Sequence, residues 1–218
     1  MCEKLHRYFQ WMGIGLYLLA LLVVSICFRT YALKPLWMVW GVGTVLFFFV
    51  LSGFCHRRWR LDDSTKFRKK VFWWALGIRV LYVGGIMLYY FYETGVSFEY
   101  GASDSWQYHR MAGFLSDLAR EGRFREILYV LNANTLGFSD QGYTLYLTAL
   151  YTCFGKNILG PRLLKALMGA SVCVAIYRLA QRNLNERTAR LAAVMAVFLP
   201  QFIHYTGKIS VKTGVLSL

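Results

Sequence analysis

The chain has 218 residues, 57% of them hydrophobic and only 17% charged, and its mean hydropathy is +0.39. A soluble domain usually carries about 25% charged residues, so this composition excludes that class and defines a polytopic membrane protein. The net charge of +14 would suggest nucleic acid in a soluble protein; here it is read mainly as a signal of membrane topology.

Only three prolines and no low-complexity tract argue against a separate linker-joined domain. The five cysteines, Cys2, Cys27, Cys55, Cys153 and Cys173, show no CxxC pair and no metal spacing. They read as small packing residues.

In chain order, Lys4 and Arg7 precede an apolar run from about Phe9 to Phe28 that can span a bilayer. It is longer than a signal-peptide core and no small-x-small cleavage site follows. A second span runs from Leu36 to about Phe54. The loop 56–70 then carries seven Lys/Arg against two Asp, which places it in the cytoplasm and fixes the first hairpin with its N-terminus inside. Anionic headgroups could also bind it, although topology alone accounts for its charge. The third span, about Val71–Tyr92, leads outward and contains Arg79, which either snorkels to the interface along its own stem or pairs with an acid or a phosphate.

Residues 93–140 hold seven of the eleven acidic residues, with four arginines, and read as an extracytoplasmic aqueous segment. The pattern predicts a helix from Ser103 to Arg120, a turn at Gly122, a short helix over 123–131 and an irregular stretch 132–141. Apolar residues such as Phe114, Leu115, Leu118 and Ile127 point to juxtamembrane helices lying on the membrane surface. Gly142–Phe154 is apolar but has only 13 residues, where about 20 are needed to span.

If Gly142–Phe154 is juxtamembrane, the loop 178–190 with its four arginines is cytoplasmic, as its charge demands. Lys156, Arg162 and Lys165 then lie outside, where a polyanionic ligand would explain them. Spans follow at Leu163–Leu179 and Leu191–Tyr205, the second kinked at Pro200. The end of the chain, from Gly207, looks cut off within a helix. The expected fold is therefore all-α, with about five spans, part of a sixth, and extracytoplasmic juxtamembrane helices.

The stretch Gly101–Ala112 opens the helix beside the third span. Asp104 stands at its start, with Tyr108 one turn along the same face. On spacing alone two readings are equal: a reactive carboxylate at the water–lipid boundary, or an N-cap with Gln107 completing a capping box.

The order of motifs along the chain resembles a known family. It begins with Asp104-x-x-x-Tyr108-x-x-x-Ala112 and continues with Asp140-Gln141-Gly142-Tyr143, Phe154-Gly155-Lys156-Asn157 and Arg162-Leu163-Leu164-Lys165-Ala166. Asn185-Glu186-x-x-Ala189-Arg190, Pro200 and Tyr205 follow. This is similar to the membrane glycosyltransferases of the GT-C superfamily, nearest to the family 39-like group of protein O-mannosyltransferases and bacterial aminoarabinose transferases. The resemblance covers roughly residues 71–218. It sets residues 1–70 apart as an N-terminal two-span hairpin with a basic loop.

The resemblance implies an enzyme of the bacterial cytoplasmic (inner) membrane with an extracytoplasmic active site. The donor would be a polyprenyl-phosphate sugar and the acceptor a glycan, a lipid or a protein. Transfer would invert the anomeric centre, with Asp104 as the catalytic base. No cofactor is implied with certainty, a divalent cation being the one candidate. The family's second acid, which follows a Lys after the proline-containing span, has Lys212-Thr213 as its counterpart here, and Asp104 has no acidic neighbour.

The chemistry needs one base for the acceptor hydroxyl and fixed cations for the departing phosphate. Lys156, Arg162, Lys208 and Lys212 are the outward candidates for the phosphate. His109, Asp140 and Tyr143 join Tyr108 as candidate substrate contacts. His109 reads equally as an uninvolved surface histidine and Asp140 as a helix cap. The rival functions are a transporter or lipid flippase, which needs polar groups near the midplane of several spans, and an inactive membrane scaffold or fragment.

Overall fold

The computed structural model describes residues 2–27, 35–98, 103–133 and 138–207. Among them lie nine α-helices and no strand: α1 Cys2–Cys27, α2 Pro35–Trp59, α3 Ser64–Thr94, α4 Ser103–Arg120, α5 Phe124–Asn132, α6 Phe138–Phe154, α7 Leu159–Asn183, α8 Glu186–Phe198 and α9 Pro200–Gly207. Three helical segments are long and apolar enough to cross a membrane, Val39–Trp59, Ser64–Thr94 and Leu159–Asn183. The chain is an all-α integral membrane protein.

At 1.5 Å per residue, the 31 residues of α3 reach about 46 Å, beyond the ~30 Å hydrocarbon core. Turns at its ends are therefore left for the headgroup regions. α1 contributes a shorter described apolar stretch, Trp11–Val24.

Two elements differ from expectation. The helix after the acidic segment begins at Phe138, four residues before Gly142, but with 17 residues it is still short of a span. The span expected over Leu191–Tyr205 is broken into α8 and α9. Leu199 is extended (φ −60°, ψ 114°) because Pro200 forces its predecessor out of the helical region and offers no N–H. Neither the 13-residue nor the 8-residue piece crosses alone.

The chain divides into two compact units, and α3 and α7 each contribute to both. The first comprises Met1–Phe72 and Cys173–Pro200. Within it α2 packs on α1 and on α8. α8 buries Ala189, Ala193, Val194 and Val197 at helical spacing, small and β-branched groups that let helix backbones approach where lipid removes the hydrophobic drive.

A polar knot closes one end of this first unit. Arg190 donates from Nε to Glu186 Oε1 (2.7 Å) and from Nη1 to the carbonyls of Trp59 (3.0 Å) and Arg60 (3.2 Å), and its guanidinium lies 4.9 Å from the Phe67 ring centre. The last carbonyls of α2, which have no partner within the helix, are satisfied in this way. Glu186 also accepts from Tyr177 (2.7 Å), Gln181 (2.9 Å) and Ser64 (3.4 Å). Burial alone would raise the Glu186 carboxyl, but the Tyr177 hydroxyl and the Arg190 guanidinium outweigh it and hold the group below its ordinary value. Asn185 caps α8, its Oδ1 accepting from the Thr188 N–H at 2.9 Å.

The second unit comprises Trp73–Val172 and Gln201–Leu218. Here Arg79 is fully buried. Its guanidinium curls back along α3 and donates to the Ala75 carbonyl at 3.0 Å, so it stays inside the helix packing rather than snorkelling to an interface. Gly169 of α7 makes the room: a Cβ there would lie 2.8 Å from Arg79 Nε and 3.0 Å from Thr206 Cγ2 of α9. Nearby, the Tyr82 hydroxyl and His204 Nδ1 share a hydrogen bond of 2.6 Å.

The helices α4 and α5 form a hairpin over Leu115, Leu118 and Ile127. Gly122 (φ +74°) turns it. The Arg123 N–H reaches the Leu118 carbonyl (2.9 Å) and the Gly122 N–H reaches that of Ala119 (3.2 Å), the two bonds of a Schellman C-cap. Of the described cysteines, Cys55 and Cys173 are buried as packing residues while Cys27 and Cys153 are exposed, and all four are free thiols.

Candidate active site

Helices α4 and α6 make the closest-knit pair in the molecule. On α4 the buried positions include Ser105, Tyr108, Ala112 and Ser116, besides Leu115 and Leu118 packed against α5; on α6 they are Thr144, Leu147, Thr148 and Tyr151. Both sets recur every three or four residues, the period of one helix face. Thr148 and Ser116 return their hydroxyls to carbonyls of their own helices, so these two polar groups are satisfied where they are buried. Burying Leu147 alone is worth about 2 kcal/mol.

The aromatic side chains of this seam form the site. Tyr108 is buried, and its ring meets Tyr143 edge-on at 5.4 Å. Tyr143 stacks on Tyr146 at 5.9 Å. His109 is enclosed by the rings of Phe98, Trp106 and Tyr151, with centroids at 5.2, 6.2 and 5.5 Å. Its Nδ1 shares a 2.8 Å hydrogen bond with the Tyr151 hydroxyl.

Burial, and secondly the charge of Lys156, hold His109 below its ordinary value, so the ring is neutral near pH 7. Burial pushes Tyr151 up to about 12, against a smaller opposing pull from Arg162. The phenol is therefore protonated at any physiological pH.

The cations are brought in by the next turn. Gly155 (φ +83°) ends α6, its N–H bonded to the Tyr151 carbonyl at 3.0 Å. The chain then doubles back, so that Lys156 reaches Asp117 of α4 at 2.6 Å. Its stem passes where a Cβ on Gly113 would be 3.7 Å away. Asn157 accepts from the Leu159 N–H (2.9 Å) at the start of α7. One turn into α7, Arg162 is fully buried, and a further turn on the Lys165 ammonium lies 5.4 Å from the centre of the Tyr143 ring. Arg120 ties the end of α6 down by donating to the Tyr151 carbonyl at 2.6 Å.

Thus Tyr108, His109, Tyr143, Lys156 and Arg162, chosen from sequence, converge on one aromatic and cationic cluster. Asp104 and Asp140 occupy the first turns of α4 and α6, but their side chains lie outside the described residues, and Lys208 and Lys212 lie outside them altogether. Tyr151, which shares a hydrogen bond with His109, and Tyr146 were missed as site residues. Their spacing from Tyr143, eight and three positions, was the available signal. Among the described residues no three His, Cys, Asp or Glu side chains gather as metal ligands.

Residues 143–215, roughly a third of the chain, match the family model of dolichyl-phosphate-mannose-protein mannosyltransferase. The resemblance to GT-C membrane glycosyltransferases is therefore borne out over that stretch, which begins inside α6 and leaves α4 outside it. No curated protein and no solved structure gave a significant match.

Proposed function

We propose that the chain is an inverting glycosyltransferase that takes a sugar from a polyprenyl phosphate and transfers it to an acceptor hydroxyl on the extracytoplasmic face of the membrane. The observation that carries this reading is the family match over residues 143–215, because that stretch supplies Tyr143, Tyr151, Lys156, Arg162 and Lys165 of the cluster. The region from residue 71 onward carries the activity, and the first two spans are an addition to it.

In the proposed reaction the acceptor oxygen attacks the anomeric carbon as the bond from that carbon to the phosphate oxygen breaks. Asp104 takes the acceptor proton. The negative charge leaves on the lipid phosphate, and fixed cations and hydroxyls stabilise it without reorganising. Lys156 and Arg162, with Lys165 beside them, are the described candidates, and Lys208 and Lys212 are further ones. The neutral His109 and the protonated Tyr151 offer hydrogen bonds to a polar substrate without adding charge. No step is assigned to a metal.

The test is transfer of a labelled sugar from polyprenyl phosphate by membranes carrying the wild type or Asp104→Asn. Loss of a general base lowers the rate by about 10²- to 10⁴-fold. A fall of that size at an equal membrane level supports the reading. Equal rates reduce Asp104 to a helix cap, and no transfer by either protein favours the scaffold reading.

A further inference from the structure

We propose that the two basic segments 56–70 and 178–190 form one docking surface for the phosphate headgroups of anionic lipids. The segments lie far apart in sequence, but the first unit brings them to one place. Arg190 binds the Trp59 and Arg60 carbonyls, Ser64 donates to Glu186, and the Phe67 and Tyr177 rings meet at 5.0 Å.

What this joining leaves outside is almost all positive. Arg57, Arg58 and Lys66 are exposed on one segment, and Arg178, Arg182 and Arg187 on the other. Of the three acids in these segments, two are paired with a cation and Asp63 alone keeps its charge against them. Asp62 pairs with Lys70 at 2.7 Å, Asp63 accepts from the Thr65 N–H at 3.1 Å, and Glu186 belongs to the Arg190 knot.

Two apolar side chains among the cations select a lipid surface over a dissolved anion. Leu61 is 89% exposed and Leu184 60% exposed, each at the bend between two helices. An exposed leucine in a basic segment gains nothing from free phosphate, but it can enter the headgroup boundary while the cations stay with the phosphates. The charge balance that directs these loops to the cytoplasm would not by itself place leucines at their tips.

Each Lys or Arg near an anionic surface is worth about a fivefold change in binding, and the effect fades as salt shortens the screening length. The experiment uses the whole chain in mixed micelles holding equal phosphatidylglycerol and phosphatidylcholine, with retained lipids counted by native mass spectrometry. Phosphatidylglycerol is expected to be retained preferentially, and less so in high salt.

Neutralising either pair, Arg57→Gln with Arg58→Gln or Arg182→Gln with Arg187→Gln, should lower that retention by about fivefold or more. These four side chains are exposed and enter none of the ion pairs described, so the melting midpoint of each variant in detergent should match the wild type. Equal retention of both lipids overturns the proposal, as does an effect confined to one segment. Displacement by millimolar inorganic phosphate as efficient as that by the lipid also overturns it, since the surface would then be a plain anion site.

Discussion

Of the three buried arginines among the described residues, Arg190 of the first unit and Arg162 of the second are handled in opposite ways. Arg190 spends its donors on holding helices together: two carbonyls at the end of α2, a carboxylate one turn before it on α8, and the face of Phe67. Arg162 sits with a second and a third cation, Lys156 and Lys165, in a short stretch faced by Tyr143, Tyr151 and His109. The first arrangement is closed by the protein's own carboxylate and carbonyls. The second sets three cations, Lys156 among them paired with Asp117, beside aromatic rings and a histidine that burial, and secondly Lys156, hold below its ordinary value. A buried charge is thus not informative by itself; what it is spent on tells structure from function.

The largest effect on stability is expected where that contrast is broken at Arg190. Arg190→Met keeps most of the volume but takes from Glu186 its only cation among the described residues and from the Trp59 and Arg60 carbonyls the Arg190 donor, at a cost of about 3 kcal/mol. A fall in the melting midpoint of the purified protein in detergent reads it. The double variant Arg190→Met/Glu186→Gln should lose less than the sum of its parts, since the two residues share one interaction. Strict additivity would show that the knot is not a unit.

A smaller effect sharpens the comparison inside the second unit. In Gly169→Ala the new methyl meets Arg79 Nε at 2.8 Å and Thr206 Cγ2 at 3.0 Å, and such overpacking costs about 1–3 kcal/mol. Gly113→Ala meets only the flexible stem of Lys156, at 3.7 Å. It gains up to about 1 kcal/mol of helix propensity, so the two variants should move the midpoint in opposite directions. A shift of the same sign in both would refute the packing argument at Gly169.

Much of this was legible in the chain. Hydropathy located the long helices, and the amphipathic run Ser103–Arg120 was delimited to the residue, with Gly122 closing it. The break at Leu199 was read only as a kink: Pro200 announces a disturbance, but whether the helix bends or stops depends on the packing around it. The Asn185–Arg190 motif entered as part of a family resemblance, and its structural role could not be read because its partners, Trp59 and Arg60, lie about 130 residues away. Tyr151 was hidden for a similar reason. In an apolar run with several tyrosines, only the register against α4 selects the one that meets His109.

The smallest effect separates the two causes acting on His109. In the unfolded chain this ring takes up its proton near pH 6.5, whereas in the folded protein burial, and then Lys156, delay it to lower pH. As pH falls through 6.5 the unfolded chain therefore binds more protons and stability drops; below the folded value the loss is complete and the curve levels off. His109→Gln removes this component. Lys156→Gln should raise the titration point of His109 and narrow the window without closing it, since burial is the larger cause and remains.

The ion pair that Lys156→Gln also breaks is exposed on both sides, so its own contribution is at most about 1 kcal/mol. Melting midpoints between about pH 5 and 7.5 for the three proteins decide the matter through the slope rather than the absolute value. A slope unchanged in His109→Gln would mean that the ring is not desolvated. A slope unchanged only in Lys156→Gln would mean that the lysine's charge is screened before it reaches the ring. In that case the cations of this region do not act as a group, and the contrast with Arg190 loses its basis.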